Sequence, residues 1–187
     1  MLKSCIILLF PILSYSQHSM HIGIGSIASF AKTEFTTHNF LSKKNIGFSL
    51  SYGNTIRIQN KIQLGLEVHY HDNKFVLSRK DNSRFELHQN IGLRIKPGIN
   101  IGNHTISFIH GISGVYVFDK NNNTGNQLDR YDEAWMWGGQ YSYHTYNNII
   151  LNIAYVFSNF ESLSFYTGNK LISFSTLELG FTYKMYS

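Results

Sequence analysis

The stretch Ile62-Gln-Leu-Gly-Leu-Glu-Val-His-Tyr-His71 decides the fold. Apolar side chains stand at every second position from Ile62 to Tyr70, and polar residues or glycine stand between them. A period of two is typical of a β-strand with two different faces, because an amphipathic helix would repeat its apolar residues about every 3.6 positions. The stretch therefore predicts a strand that is apolar on one face and polar on the other.

The same alternation recurs in seven further segments of the chain. They run over residues 22–30, 46–58, 85–96, 105–118, 135–144, 149–158 and 177–185. The pattern is weakest in the fourth of these, where Ile109, Val115 and Val117 fall on the otherwise polar face. A tilted strand needs about 9–11 residues to span a bilayer, and the segments are of that order. The chain therefore contains eight candidate membrane-spanning strands.

The connections between these segments alternate between short and long. The short ones are Gln59-Asn60, Gly102-Asn103 and Tyr146-Asn147-Asn148. Asn and Gly suit the positive φ angles of tight hairpin turns. The long ones are polar and run over Ala31–Lys44, Asp72–Arg84, Asp119–Glu133 and Asn159–Ser173. Short periplasmic turns and long external loops, kept in phase along the whole chain, are typical of a barrel threaded through a membrane.

The composition agrees with a barrel whose outer face meets lipid. Charged residues make up 14% of the 187 residues and aromatic residues 15%, whereas soluble domains carry about 25% charged residues. The net charge is +5, but the Lys and Arg residues are scattered and form no basic stripe, so we expect no nucleic-acid partner. The predicted fold is all-β, an eight-stranded antiparallel up-and-down transmembrane β-barrel.

The N-terminus has the pattern of an export signal. Lys3 supplies positive charge, and the apolar run Ile6–Leu13 is too short to span a bilayer as a helix. Small residues precede a predicted cut before Gln17, so residues 1–16 are predicted to be a signal peptide and residues 17–187 the barrel. The only cysteine, Cys5, lies in the signal peptide. The exported chain would therefore contain no disulfide.

The last segment, Glu178-Leu-Gly-Phe-Thr-Tyr-Lys-Met185, resembles the C-terminal assembly signal of outer-membrane barrels. The matching positions are Glu178, Gly180, Tyr183 and Met185, although Met185 replaces the usual aromatic residue and two residues follow it. With the export signal and the strand count, the chain resembles the small eight-stranded outer-membrane β-barrel proteins of the OmpA/OmpX-like class. The resemblance implies an outer-membrane location, contact with outer-membrane lipid and lipopolysaccharide, insertion by the barrel assembly machinery, and a monomer.

The predicted inward face carries charges of both signs. They are Arg57, Glu67, Glu86, Arg94, Lys96, Glu178 and Lys184. An eight-stranded barrel is just wide enough for side chains to fill it, and buried charges are normally paired. We therefore expect a salt-bridged charge network that plugs the interior. A narrow gated conduit through the same charges is the alternative.

Histidines near the predicted external end form a candidate metal site. His69 and His71 share the inward face with Glu67, and His88 follows on the neighbouring strand. Imidazole and carboxylate groups at this spacing are the ligands that Zn²⁺ and similar ions prefer. Polar lining of the interior is the competing interpretation. We expect no cofactor.

The sequence offers weak support for an enzyme. Ser142 and His144 lie two positions apart and share a face, but that face is predicted to point inward. The deacylase type of lipid A-modifying barrel uses His-x-Ser, which this chain lacks. No catalytic residue is therefore assigned. The sequence favours a non-enzymatic barrel with an envelope structural role or a surface-interaction role through its external loops, toward a ligand that it does not identify. A narrow channel for small solutes or ions and a lipid A-modifying enzyme are the alternatives.

Overall fold

The computed structural model describes residues 16–33, 45–58, 61–78, 84–120, 127–160 and 172–186. Within these ranges the chain forms eight strands. They are β1 (Ser16–Thr33), β2 (Asn45–Ile58), β3 (Ile62–Ser78), β4 (Arg84–Ile101), β5 (His104–Lys120), β6 (Gln127–His144), β7 (Ile149–Phe160) and β8 (Ile172–Tyr186). The described ranges contain no helix that could cross a bilayer. The predicted signal peptide lies outside them, except for Ser16, which begins β1.

The eight strands close into a single barrel. Each strand pairs antiparallel with the next in sequence, and β8 pairs with β1 to complete the ring. At one point of the ring Gly25 of β1 lies between Ser49 of β2 and Gly180 of β8. Because a slip of one residue would move every inward side chain to the outer face, the alternation seen in the sequence fixes this register. The predicted fold class is confirmed.

The short connections lie together at one end of the barrel, which we call the turn end; the opposite end is the loop end. Gly102 has a φ angle of 60° and Asn148 one of 57°, so these two predicted turns use the left-handed conformation as expected. In the second of them the backbone N–H of Thr145 donates to the carbonyl of Ile149 over 2.9 Å. The predicted turn Gln59-Asn60 lies outside the described residues.

The strands are longer than the sequence pattern predicted. Ser78 pairs with Arg84 and Lys120 pairs with Gln127, so two of the predicted long connections are mostly strand. The strands reach up to 18 residues, against about 9–11 needed to span a bilayer. The prediction failed here because both faces of a strand meet water beyond the lipid. The apolar–polar alternation then ends although backbone pairing continues.

The outer face of the barrel is apolar on all eight strands. Leu66 of β3 is 56% exposed and Phe181 of β8 is 61% exposed. Large apolar side chains on the other six strands are exposed in the same way. Soluble monomers rarely expose contiguous apolar patches larger than a few hundred Å². The continuous belt therefore has the character of a lipid-facing surface.

Candidate functional site: the charged barrel interior

The centre of the barrel is held by an ion pair that crosses the lumen. Arg94 of β4 donates to Glu178 of β8 through both terminal nitrogens, with Nη1–Oε2 at 2.8 Å and Nη2–Oε1 at 2.5 Å. The two-pronged geometry matches a planar guanidinium to a carboxylate and is the strongest form of such a pair. Arg94 is only 2% exposed. The pair ties together two strands that are not neighbours in the sheet.

A second carboxylate completes this group, which we call the central plug. Glu67 of β3 accepts from Lys96 Nζ at 2.5 Å and lies 3.9 Å from Arg94 Nη1. His21 Nε2 lies 3.4 Å from the same carboxylate. Glu67 is 4% exposed, so its charge needs these partners to offset the loss of water. Two cations and two carboxylates make the plug electrically balanced. Four of the seven predicted interior charges meet here.

Two histidines extend the plug toward the loop end. Arg94 Nη2 donates to His71 Nε2 over 3.1 Å, and the ring of His71 lies 4.7 Å from that of His69 between centroids. His69 is 1% exposed, and neither of its ring nitrogens has a hydrogen-bond partner among the described residues. The described part of the chain contains no group of three or more His, Cys, Asp or Glu residues arranged to hold a metal.

Glu86 of the predicted network and His88 of the predicted metal site lie closer to the loop end, on β4. Backbone pairing sets His88 opposite Lys74 and Glu86 opposite Val76. His69, by contrast, pairs with Gly92. The side chains of Glu86 and His88 lie outside those that the structure describes. A metal at His69, His71 and His88 therefore stays a prediction.

Glycines opposite the large inward side chains make room for the plug. A Cβ atom added at Gly53 would come within 2.7 Å of His21 Nε2, and one added at Gly92 would overlap the ring of His69. The two histidines thus lie over backbone that has no side chain. The sequence carries this signal, because the inward positions of β2 to β4 include glycines as well as large polar residues.

Arg57 and Lys184 lie apart from the plug, at the turn end. Arg57 Nη2 is 3.2 Å from His144 Nδ1, and Thr105 Oγ1 is 2.8 Å from His144 Nε2. Both cations line a small cavity of about 40 Å³, the turn-end cavity. The expected single network is therefore divided into a balanced plug and a second, cationic group. Sequence alternation placed both cations inward but could not show their height in the lumen.

Ser142 and His144 point inward as predicted but do not form a catalytic pair. Ser142 Oγ donates to Asn152 Oδ1 over 2.7 Å and accepts from Gln140 Nε2 over 2.8 Å. The imidazole of His144 is instead shared between Thr105 and Arg57. A serine nucleophile needs a base within hydrogen-bond reach. In this chain the hydroxyl of Ser142 donates instead to the amide oxygen of Asn152.

One side of the interior is apolar, which the alternation in the sequence indicated only at Ile109. Ile109, Met136, Ala154 and Val156 form a buried cluster on β5 to β7, which we call the apolar layer. Ala154 pairs with Glu178 and lines a second cavity, of about 40 Å³, at the level of the plug. Lys96, Gln140, Asn152 and Thr182 line both this cavity and the turn-end cavity. The described lumen thus contains two small adjoining polar cavities with the apolar layer on one side.

Solved structures share this architecture. The outer-membrane protein Ail of Yersinia pestis, in complex with the heparin analogue sucrose octasulfate, superposes with a TM-score of 0.63 at 15% identity, covering 90% of this chain and 99% of that one. Neisserial surface protein A (NspA) gives 0.56 at 12% identity, covering 89% of this chain and 97% of that one. OprG from Pseudomonas aeruginosa gives 0.55 at 10% identity, covering 91% and 97%. The chain has the fold of the small eight-stranded outer-membrane β-barrels. No family model and no curated protein sequence matches it.

In this outer-membrane barrel fold, the last strand carries the residues predicted to form the assembly signal. Glu178 faces inward to the plug, and Gly180 lies against the backbone of β1 at Ile24 and Gly25. Tyr183 points outward and is 55% exposed. Inward polar and outward aromatic positions thus alternate as the predicted signal requires. Recognition of this strand by the assembly machinery remains a prediction.

Proposed function

We propose that this chain is a non-enzymatic protein of the outer membrane, with the turn end toward the periplasm and the loop end outside. The observation that carries the proposal is the unbroken apolar belt around a closed sheet. In hydrocarbon every backbone N–H and C=O group must be satisfied internally, and a closed barrel does this without an exposed edge. The exposed apolar side chains then meet lipid and not water.

The interior favours a role outside the lumen. The plug pairs its charges across the barrel, and the two cavities of the described lumen are small, about 40 Å³ each. Strands that continue past the apolar belt at the loop end lift the external connections away from the membrane surface. We infer an envelope structural role or a surface-interaction role carried by those connections.

An anionic surface partner is the first to test. The Ail structure contains sucrose octasulfate, a heparin analogue. This chain has two adjacent basic pairs in its predicted external connections, Lys43-Lys44 and Arg79-Lys80. Lipopolysaccharide carries negative charge at the same surface, so both it and sulfated glycans have suitable chemistry. Salt-dependent binding that falls on replacing these four residues by Gln, while the barrel still folds, would support such a role.

Fractionation of cells that express the full chain tests the location. We expect the protein in the outer-membrane fraction, with a gel mobility that shifts on heating, because folded barrels resist unfolding by detergent at room temperature. Recovery in the soluble periplasmic fraction would refute the barrel in the membrane. Mature protein beginning at Gln17 would support the predicted signal peptide.

A narrow channel is the second candidate, and the two adjoining polar cavities favour it. Lys96 lies where they meet and bonds to Glu67. Reconstitution in planar bilayers separates the candidates, because the leading proposal expects no conductance and the channel expects discrete steps. The lipid A-modifying alternative is tested by incubation with purified lipopolysaccharide, with Ser142→Ala and His144→Ala as controls.

A further inference from the structure

A groove lies on the outer wall of the barrel, in the loop-end half of strands β4 to β6. Its lining includes Ile91 and Leu93 of β4, Ile112 and Gly114 of β5, and Glu133 of β6. The three large apolar side chains among these are exposed members of the apolar belt. The groove has a volume of about 230 Å³. We call it the outer groove.

Two local features of the strands open the wall at this point. Gly114 pairs with Glu133 and follows the exposed Ile112 by two positions, so it occupies an outward position that has no side chain. The register between β4 and β5 also shifts between Gln89 and Gly92, where two residues of β4 oppose Gly114 alone. A β-bulge of this kind bends the strand and increases its twist. The bulge and the missing side chain together account for the groove.

An acyl chain is the occupant that fits the outer groove. The groove opens onto the apolar belt and is therefore continuous with the lipid-facing surface. An apolar cavity of about 150 Å³ stays dry and binds benzene, so a groove of about 230 Å³ has room for a stretch of hydrocarbon chain. A chain held between Leu93 and Ile112 gains dispersion contacts on two sides.

Glu133 places a carboxylate at the loop-side edge of the outer groove. Trp135 lies two positions nearer the turn end on the same outward face and is exposed. Tryptophan is enriched at the boundary between hydrocarbon and headgroups, which sets the exposed Glu133 at the level of the headgroups. A carboxylate there accepts charge-assisted hydrogen bonds from an ammonium group.

We propose that the outer groove binds a lipid whose headgroup carries a primary ammonium, such as phosphatidylethanolamine. One acyl chain lies between Leu93 and Ile112, and the ammonium donates to Glu133. The site goes beyond the proposed role of the external connections, because it lies on the lipid-facing wall. Phosphatidylcholine has a cation without an N–H donor, and phosphatidylglycerol has no cation. These headgroups therefore separate the hydrogen bond from general charge.

The two tryptophans of the chain, Trp135 and Trp137, report on the site. Trp135 pairs with Ile112 of the groove wall, and bromine atoms on an acyl chain quench tryptophan fluorescence on contact. The refolded barrel is placed in phosphatidylcholine vesicles with increasing fractions of brominated phosphatidylethanolamine. We expect a preference of about two- to fivefold over brominated phosphatidylcholine, as for an exposed ion pair. Brominated phosphatidylglycerol should bind no better than phosphatidylcholine.

Removal of the carboxylate tests the headgroup contact. Glu133→Gln should abolish the preference for phosphatidylethanolamine, because the amide has no charge to attract the ammonium. Asp72→Asn is the matched control, since Asp72 is an exposed carboxylate of β3 and is not among the described residues that line the groove. It should retain the preference. In vesicles of phosphatidylcholine alone, both variants should be as stable as the native protein.

A narrower groove tests the acyl-chain contact. Leu93→Phe combined with Ile112→Phe adds a ring to each wall and should lower the preference although Glu133 is retained. Leu64→Phe combined with Ile106→Phe makes the same changes at exposed belt positions outside the described groove lining. That variant should behave as the native protein. Heat-modifiable mobility checks that each variant folds, and Leu93→Phe alone decides if the first pair does not.

Three results would overturn the proposal. The first is equal quenching by brominated phosphatidylethanolamine and brominated phosphatidylcholine in the native barrel. The second is a preference that survives Glu133→Gln or that Asp72→Asn lowers equally, since the effect would then be general surface charge. The third is a preference that narrowing the groove leaves unchanged, since the chain would then lie elsewhere on the belt.

Discussion

Replacing Glu67 by Gln tests whether the central plug stabilises the barrel through charge balance. In the native protein Glu67 accepts from Lys96 at 2.5 Å and lies 3.9 Å from Arg94. The amide keeps the shape but leaves the buried ammonium of Lys96 without its counter-charge. Removing one partner of a buried pair costs about 3–5 kcal/mol. We expect the free energy of unfolding of Glu67→Gln to fall by that amount, measured by guanidinium unfolding of the barrel refolded in lipid vesicles.

A second replacement separates charge from packing. Lys96→Met in the Glu67→Gln background removes the stranded charge and retains most of the volume. Replacing both members of a buried ion pair by uncharged groups is often neutral or stabilising, so we expect the double variant to recover to within about 1–2 kcal/mol of the native protein. Glu133→Gln is the matched control at an exposed carboxylate, with an expected change within about 0.5 kcal/mol. A loss below 1 kcal/mol for Glu67→Gln, or no recovery with Lys96→Met, would refute the reasoning.

Three further outcomes follow from the fold. Leu66→Arg puts a charge on the apolar belt and should lower the free energy of unfolding in vesicles by about 2–4 kcal/mol, whereas improved solubility without such a loss would contradict a lipid-facing wall. Gly102→Ala forces a side chain into the φ angle of 60° and should cost about 1–2 kcal/mol in the same unfolding assay, with Asn103→Ala, at a residue of ordinary φ, as the comparison. Gly92→Leu would overlap the buried ring of His69 and should cost about 1–3 kcal/mol, and native stability in that variant would show that the histidine does not lie over this glycine.

The sequence predicts the barrel well because the two faces of the barrel wall lie in different environments. Lipid outside and polar groups inside force a period of two on every strand, as residues 62–71 illustrate. Strand number, direction and inward faces follow from that period and from the turns at Gly102 and Asn148. The strand ends do not follow, because beyond the lipid both faces meet water and the period is lost while pairing continues.

The apolar–polar alternation does not predict which charged residues meet inside the lumen. Arg94 and Glu178 are 84 residues apart and lie on strands that do not pair. Their meeting depends on the stagger between successive strands around the ring, which no single strand's sequence contains. The apolar layer was missed for a related reason. Met136 and Val156 are apolar residues at inward positions, and their inward neighbours are alanine, glycine or serine. The sequence does not show that the fold brings them together.

The central plug has a consequence for function. Its paired charges cross the lumen between β4 and β8. A partner bound at the external connections has no contact with the turn-end cavity and has no two-state element to act through. We expect replacement of the basic pairs Lys43-Lys44 and Arg79-Lys80 by Gln to weaken binding at the external connections while leaving the stability of the barrel and its lack of conductance unchanged. A conductance that changes when a partner binds would show that the plug has a second arrangement, and the channel would then become the better proposal.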